Sequence, residues 1–124
     1  MKQMIEAILE DLSTREVFLF RIACASCGAE YANRPTRFSK ADVTPATQAK
    51  KTIYDAIYDQ EHRAARLAAL QMGTEYMNYC PICKRMVCNQ CFLICDDLDM
   101  CRQCAEALQE KGNPVEPIIV DAVI

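Results

Sequence analysis

CPICKRMVCNQCFLICDDLDMCRQC, residues 80–104, contains three C-x-x-C pairs: Cys80/Cys83, Cys88/Cys91 and Cys101/Cys104. A fourth pair, Cys24/Cys27, lies upstream across 52 intervening residues. A C-x-x-C turn sets two sulfurs about one tetrahedral edge apart, which is half of a four-coordinate zinc site. Four pairs therefore predict two closed sites, with Cys24, Cys27, Cys80, Cys83, Cys88, Cys91, Cys101 and Cys104 as ligands and two Zn2+ per chain. The ninth cysteine, Cys95, stands between Ile94 and Asp96. It reads as a small buried thiol or, more sharply, as a spare or redox-sensing thiol able to displace a ligand.

The pairs can be sorted in two ways. In an interleaved scheme Cys24/Cys27 join Cys88/Cys91, and Cys80/Cys83 join Cys101/Cys104. In a sequential scheme Cys24/Cys27 join Cys80/Cys83, and Cys88/Cys91 join Cys101/Cys104. The run C-x2-C-x4-C-x2-C followed by a later C-x2-C resembles the cross-brace of FYVE, RING and PHD modules, which implies interleaving. Read sequentially, CASCGAEY and CPIC look like the knuckles of a zinc ribbon or rubredoxin. Under either scheme CRQC opening a helix looks like the second half of a treble clef. The resemblance covers residues 24–28 and 80–104 and is one of spacing. Where FYVE domains carry a basic run before the second pair this chain has Met77, Asn78 and Tyr79, and it lacks the ligand histidine usual in RING domains.

Outward from the cysteines, the chain reads as α+β: a small zinc-stabilised β-knuckle or treble-clef core with a long inserted α-helix and a short terminal helix and strand. We expect one zinc-binding domain over 1–124. Residues 1–15 hold an amphipathic helix whose apolar face is Met1, Met4, Ile5, Ile8, Leu9 and Leu12. Residues 16–38 hold a strand (EVFLFRIA) running into the first knuckle, a turn at Asn33-Arg34-Pro35, and a returning strand with Tyr31 and Phe38. Residues 39–75 form the helical insertion. Thr44 is its expected N-cap, Pro45 its first residue and Gly73 its C-terminal cap, with no breaker between. Its apolar stripe is Ala46, Ala49, Ile53, Ala56, Ile57, Ala64, Leu67 and Ala68, with Gln60 in the middle. His62 is expected on the opposite, charged face, and Tyr54 and Tyr58 on one flank. Residues 76–112 form the cysteine-rich core, including a helix from Cys101 that stops at Gly112. Residues 113–124 end in a strand, IIVDAVI.

The chain has 124 residues and a formal charge of −3. Eight bound thiolates and two dications would take that charge to −7, with Lys84, Arg85 and Arg102 offsetting it locally. Such acidity argues against sequence-independent nucleic-acid binding, although a ribbon-type knuckle could use Arg34, Arg37 and Lys40. The amino-terminal residues do not read as a signal peptide, and no apolar run is long enough for a membrane span. Reduced thiols and a cytoplasmic location are therefore expected. No H-x-E accompanies the Cys80-Pro81-Ile82-Cys83 motif, no phosphate loop is present, and a zinc saturated by thiolates cannot activate water. We expect no catalysis. The leading expectation is a protein-interaction or adaptor module, with the helix 45–72 able to pair with a second copy. Asp96, Asp97 and Asp99 could form a pocket for a basic partner group. The alternatives are a redox switch that releases zinc and a nucleic-acid-binding zinc ribbon.

Overall fold

A computed structural model describes residues 2–95 and 98–115. Helix and sheet are mixed, in the order α1 (Lys2–Ile8), β1 (Glu10–Asp11), β2 (Val17–Phe18), β3 (Phe20–Ala23), β4 (Glu30–Ala32), β5 (Thr36–Arg37) and α2 (Gln48–Tyr76). Then follow β6 (Met77–Tyr79), β7 (Met86–Cys88), a 3-10 turn (Asn89–Cys91), β8 (Phe92–Ile94), β9 (Met100–Cys101), α3 (Arg102–Ala107) and β10 (Asn113–Pro114). Every strand pairing among the described residues is antiparallel, in ribbons ordered β1-β3-β4, β2-β5, β6-β7 and β10-β8-β9.

The amino-terminal helix is shorter than the expected 1–15. Glu10 and Asp11 leave it to pair with Arg21 and Phe20 of β3, and Arg21 closes ion pairs to Glu10 at 2.6 Å and Glu30 at 3.4 Å. Only part of the expected apolar face turns inward: Ile5 is fully buried, whereas Ile8 and Leu12 are exposed. The strand expected over 16–23 is split at Leu19 into β2 and β3. Asn33 spans the break by accepting from the Phe20 N–H at 2.6 Å and donating to the Phe18 carbonyl at 3.4 Å. Phe38 lies just beyond β5 rather than in a strand, and is fully buried.

The long helix is present, with different ends and a different inner face. Thr47, not Thr44, is the N-cap: its hydroxyl accepts from the Lys50 N–H at 3.1 Å, satisfying one of the unpaired donors of the first turn. Gly73 does not end the helix, which continues to Tyr76. A Cβ on Gly73 would stand 2.7 Å from Ile5 Cγ2, so this glycine lets α1 pass close to α2. Most of the expected apolar stripe points outward: Ile53 and Leu67 are 59% and 57% exposed, and Ala46, Ala49, Ala56, Ala64 and Ala68 are exposed as well, whereas Ile57 packs half-buried against the cluster of Phe18, Phe20 and Phe38. The inner face is instead Tyr54, Tyr58, Ala65, Ala69, Leu70, Gly73 and Tyr76.

This inner face covers two clusters. The amino-terminal half of α2 lies over Phe18, Phe20 and Phe38, with Tyr54 and Tyr58 edge-on to Phe38 at 5.3 and 5.1 Å between ring centres. The carboxy-terminal half lies over the cysteine-rich cluster of Ile5, Ile22, Leu70, Met77, Val87 and Phe92. β3 threads both, with Phe20 in the first and Ile22 in the second.

His62, expected on a charged surface, is wedged into the aromatic cluster. Its ring lies 5.8 Å from Phe18, 5.4 Å from Phe20 and 5.9 Å from Tyr58, and Nε2 meets Asp11 Oδ2 at 2.8 Å. Its place beside charged residues in sequence concealed a ring that fills space between strand and helix. We predict that His62→Ala destabilises the fold by about 1–3 kcal/mol in urea unfolding, through lost ring packing and the lost bond to Asp11. An unchanged denaturation midpoint would mean that the ring is not part of the core.

The carboxy-terminal elements also depart from expectation. α3 ends at Ala107, with Gln109 in the left-handed region at φ 57°, so Gly112 is not its stop. Ala105 of α3 is buried, whereas Leu108, just past the end of the helix, is exposed. A Cβ on Gly112 would stand 2.5 Å from the Ile94 carbonyl oxygen and 2.6 Å from Cys95 Sγ. Gly112 is thus the point where the returning chain crosses β8. β10 pairs there with Leu93 and Ile94. The strand expected at IIVDAVI, residues 118–124, lies outside the described residues.

Candidate metal centres

The first pair of each group sits in a knuckle, and the two knuckles are built alike. Between β3 and β4, the Cys24 N–H donates to the Ala29 carbonyl at 2.8 Å and the Gly28 N–H donates back to the Cys24 carbonyl at 3.0 Å. Between β6 and β7, the Cys80 N–H donates to the Arg85 carbonyl at 2.9 Å and the Lys84 N–H to the Cys80 carbonyl at 2.8 Å. The residue after the second cysteine is left-handed in both, Gly28 at φ 76° and Lys84 at φ 59°. Glycine adopts that conformation without cost, whereas an L side chain there costs about 1–2 kcal/mol.

The second pairs sit where a strand turns into a helix. Cys88 ends β7 and caps the 3-10 turn that carries Cys91. Cys101 ends β9 and caps α3, where its sulfur accepts from the Cys104 N–H at 3.4 Å. The sulfurs gather in the interleaved order. Cys24, Cys27, Cys88 and Cys91 form one group, Cys80, Cys83, Cys101 and Cys104 the other, with every Sγ in a group within 4.8 Å of the rest. Either group could hold a metal ion. Each is half made by the segment between the two halves of the other, so neither closes until the chain has crossed itself.

Donors are aimed at the sulfurs. Cys24 Sγ accepts from the N–H groups of Cys88 at 3.2 Å, Ser26 at 3.3 Å and Cys27 at 3.4 Å. Cys80 Sγ accepts from the Cys101 N–H at 3.4 Å. Arg85 is the residue that sequence reasoning undervalued as a local counter-charge. Its Nε donates to Cys83 Sγ at 3.3 Å, Nη1 to the Ala25 carbonyl at 3.1 Å, and Nη2 to the Gln103 side chain. One guanidinium therefore ties the second group to the knuckle of the first. Its position one residue beyond a left-handed turn was the available signal, but its reach toward Ala25 depends on the fold.

These contacts spread the thiol acidities. Burial opposes the Cys24 thiolate, but the Cys27, Cys88 and Ser26 N–H groups outweigh it and bring the thiol down to about 7. The Arg85 hydrogen bond is the largest influence on Cys83 and brings it down to about 6. Burial, with neighbouring thiols, raises Cys91 and Cys104 to about 12. Four thiols this close repel one another as anions, and a bound dication is what would let all four ionise. A depressed thiol pKa favours the thiolate above that value and loses the benefit as pH falls through it. In the Cys24 group one thiol is lowered while Cys27 and Cys91 are raised, whereas in the other group Cys80 and Cys83 are both lowered and Cys104 is raised, so acidification should empty the Cys24 group first. Metal release followed by a chromogenic chelator in single-site variants checks the order, and loss from the Cys83 group first would contradict it.

Cys95 is buried and belongs to neither group; its Sγ lies 3.9 Å from the Leu93 carbonyl oxygen. Asp99 is exposed on the rim of a cavity of about 550 Å3, which is lined in part by Pro81, Ile82, Leu98 and Leu108. Asp96 and Asp97 lie outside the described residues. Of the basic residues considered for nucleic acid, Arg37 is paired with Asp42 at 2.8 Å. Among the described residues no helix is long and apolar enough to cross a membrane.

Fold and sites together define a mixed α and β chain with two four-cysteine groups that could bind metal. The chain matches no family model, and no curated protein or solved structure matches it significantly.

Proposed function

We propose that the chain is a non-catalytic protein-interaction module whose fold is held by two structural zinc ions. The observation that carries this reading is the pair of four-sulfur groups, each with all its sulfurs within 4.8 Å. Four thiolates suit tetrahedral Zn2+, and a site so filled keeps no position open for a substrate or an activated water. The knuckle at Cys80/Cys83 with α3 opening at Cys101 supports the treble-clef resemblance drawn from CRQC, whereas the first group ends in a 3-10 turn at Asn89–Cys91. Zinc in such a site contributes roughly 10–16 kcal/mol in apparent binding free energy, more than a small core of this kind supplies alone.

The non-catalytic reading rests on that saturation together with the missing H-x-E beside Cys80-Pro81-Ile82-Cys83 and the missing phosphate loop in the sequence. The interaction reading rests on surface: Ile53, Leu67, Leu98 and Leu108 are all more than half exposed. Asp99, at the rim of its cavity, remains available to a basic group on a protein partner. The Arg37–Asp42 pair weighs against a nucleic-acid ligand, and Cys95, which is only 7% exposed although it lines the Asp99 cavity, is a poorer target for a first oxidation than the exposed Cys27. Eight thiol ligands suit a reducing compartment such as the cytoplasm.

Elemental analysis of protein purified without added metal tests the assignment. Two zinc atoms per chain are expected. Iron at either site, or metal-free folded protein whose mass is short by pairs of hydrogens, would replace structural zinc with electron-transfer or thiol chemistry.

A further inference from the structure

We infer that α2 pairs in antiparallel fashion with α2 of a second copy of this chain, through the face turned away from the sheets. The pairing rests on the interaction-module reading and gives that module a partner. The outward face carries Ala49, Ile53, Ala56, Gln60, Arg63 and Leu67, all exposed and spaced alternately by four and three residues. That is the heptad seam of a two-stranded coiled coil, and the helix's 29 residues give it about 43 Å of length. Its large apolar members, Ile53 and Leu67, are both more than half exposed on either side of the polar Gln60 and Arg63, and such surface favours a covering partner.

Charge sets the direction. In a parallel pair Arg63 would face Arg63 of the second copy at a seam position, and Asp59 and Arg66 would face Ala64 and Gln71. Turned antiparallel, with residue 60 opposite residue 63, Ala56 meets Leu67 of the second copy. Asp59 then meets Arg66 of the second copy, and the two-fold axis makes that opposite-charge pair twice.

Two hollows beside the seam obey the same symmetry. One, of about 230 Å3, is lined by Val43, Lys50, Ile53 and Ile57, with Lys40 and Tyr54. The other, of about 330 Å3, is lined by Leu67, Leu70, Gln71 and Thr74. They lie at equal distances along the helix from residue 62, where the two-fold axis would cross. Each copy's Leu67 end would then lie against the other copy's Ile53 hollow.

Sedimentation equilibrium on the full chain, with zinc content and helicity followed in parallel, tests the inference. A concentration-dependent dimer is expected, and Leu67→Glu should abolish it without changing either control. Asp59→Arg and Arg66→Asp should each weaken self-association about tenfold, because each turns two opposite-charge pairs into like-charge contacts. Mixed together, these two variants should form a heterodimer, and carried on one chain they should restore the homodimer. A monomer with two metals and a full helix would overturn the pairing and leave the zinc reading standing. Loss of metal from the wild-type protein would fault the zinc reading instead. A dimer unaffected by Leu67→Glu, or charge variants that fail to rescue each other, would overturn the proposed face and its antiparallel direction.

Discussion

Cys101→Ser is expected to leave one zinc per chain and to unfold the carboxy-terminal half of the molecule. Cys101 is fully buried, ends β9 and caps α3 with its sulfur. Serine is a strong N-cap and nearly the same size, so the helix end is provided for in the variant. What serine does not supply is the fourth thiolate. Losing it should remove most of a contribution of roughly 10–16 kcal/mol, against a total stability of about 5–15 kcal/mol for an ordinary domain. Circular dichroism and limited proteolysis should show α3 and β8–β10 lost, with the aromatic cluster under the front half of α2 surviving longest. Cys95→Ser is the matched control, because it removes a buried sulfur from neither group and should keep both metals. If Cys101→Ser retained two zinc ions and a native spectrum, the second site would not be structural.

Arg85→Met is expected to lower zinc affinity at the Cys80 group by about 10–100-fold while leaving the other site near its original affinity. Methionine keeps much of the side chain's length and apolar body, so the change isolates the guanidinium. The lost contacts are the donor to Cys83 Sγ at 3.3 Å and the link to the Ala25 carbonyl at 3.1 Å. Removing the cation should let the Cys83 thiol rise from about 6, so zinc would be released at higher pH in the variant than in the wild type. Competition with a calibrated chelator across a pH series reads both effects. Equal weakening at the two sites would mean that Arg85 acts by general packing rather than through the Cys83 sulfur.

The four cysteine pairs that make up the two groups were legible because C-x-x-C is a local device whose geometry its own few residues impose. The pairing of those devices was open, since interleaved and sequential schemes use the same turns and differ only in which strands cross. The reading of α2 shows a different limit. Its periodic stripe is real, but periodicity marks a face without saying which side of the helix the sheets occupy. The inner side is built from Tyr54, Tyr58, His62, Ala69 and Gly73, whose fit depends on the shape of Phe18, Phe20, Phe38 and Ile5. Gly73 itself looked like a helix stop because the close approach of Ile5, which explains it, comes from residues far away in sequence. Thr44-Pro45 and Thr47 both offered a plausible helix start, and only the bond from the Lys50 N–H separates them.

Zinc counting by native mass spectrometry on two double variants tests the interleaved pair of sites most directly. Cys24→Ser/Cys91→Ser places both changes in one group, and the chain should keep one zinc, held by Cys80, Cys83, Cys101 and Cys104. Cys24→Ser/Cys83→Ser places one change in each group and should leave no tightly held zinc. The reverse pattern, no zinc in the first variant and one in the second, would establish the sequential pairing and contradict the structure described above.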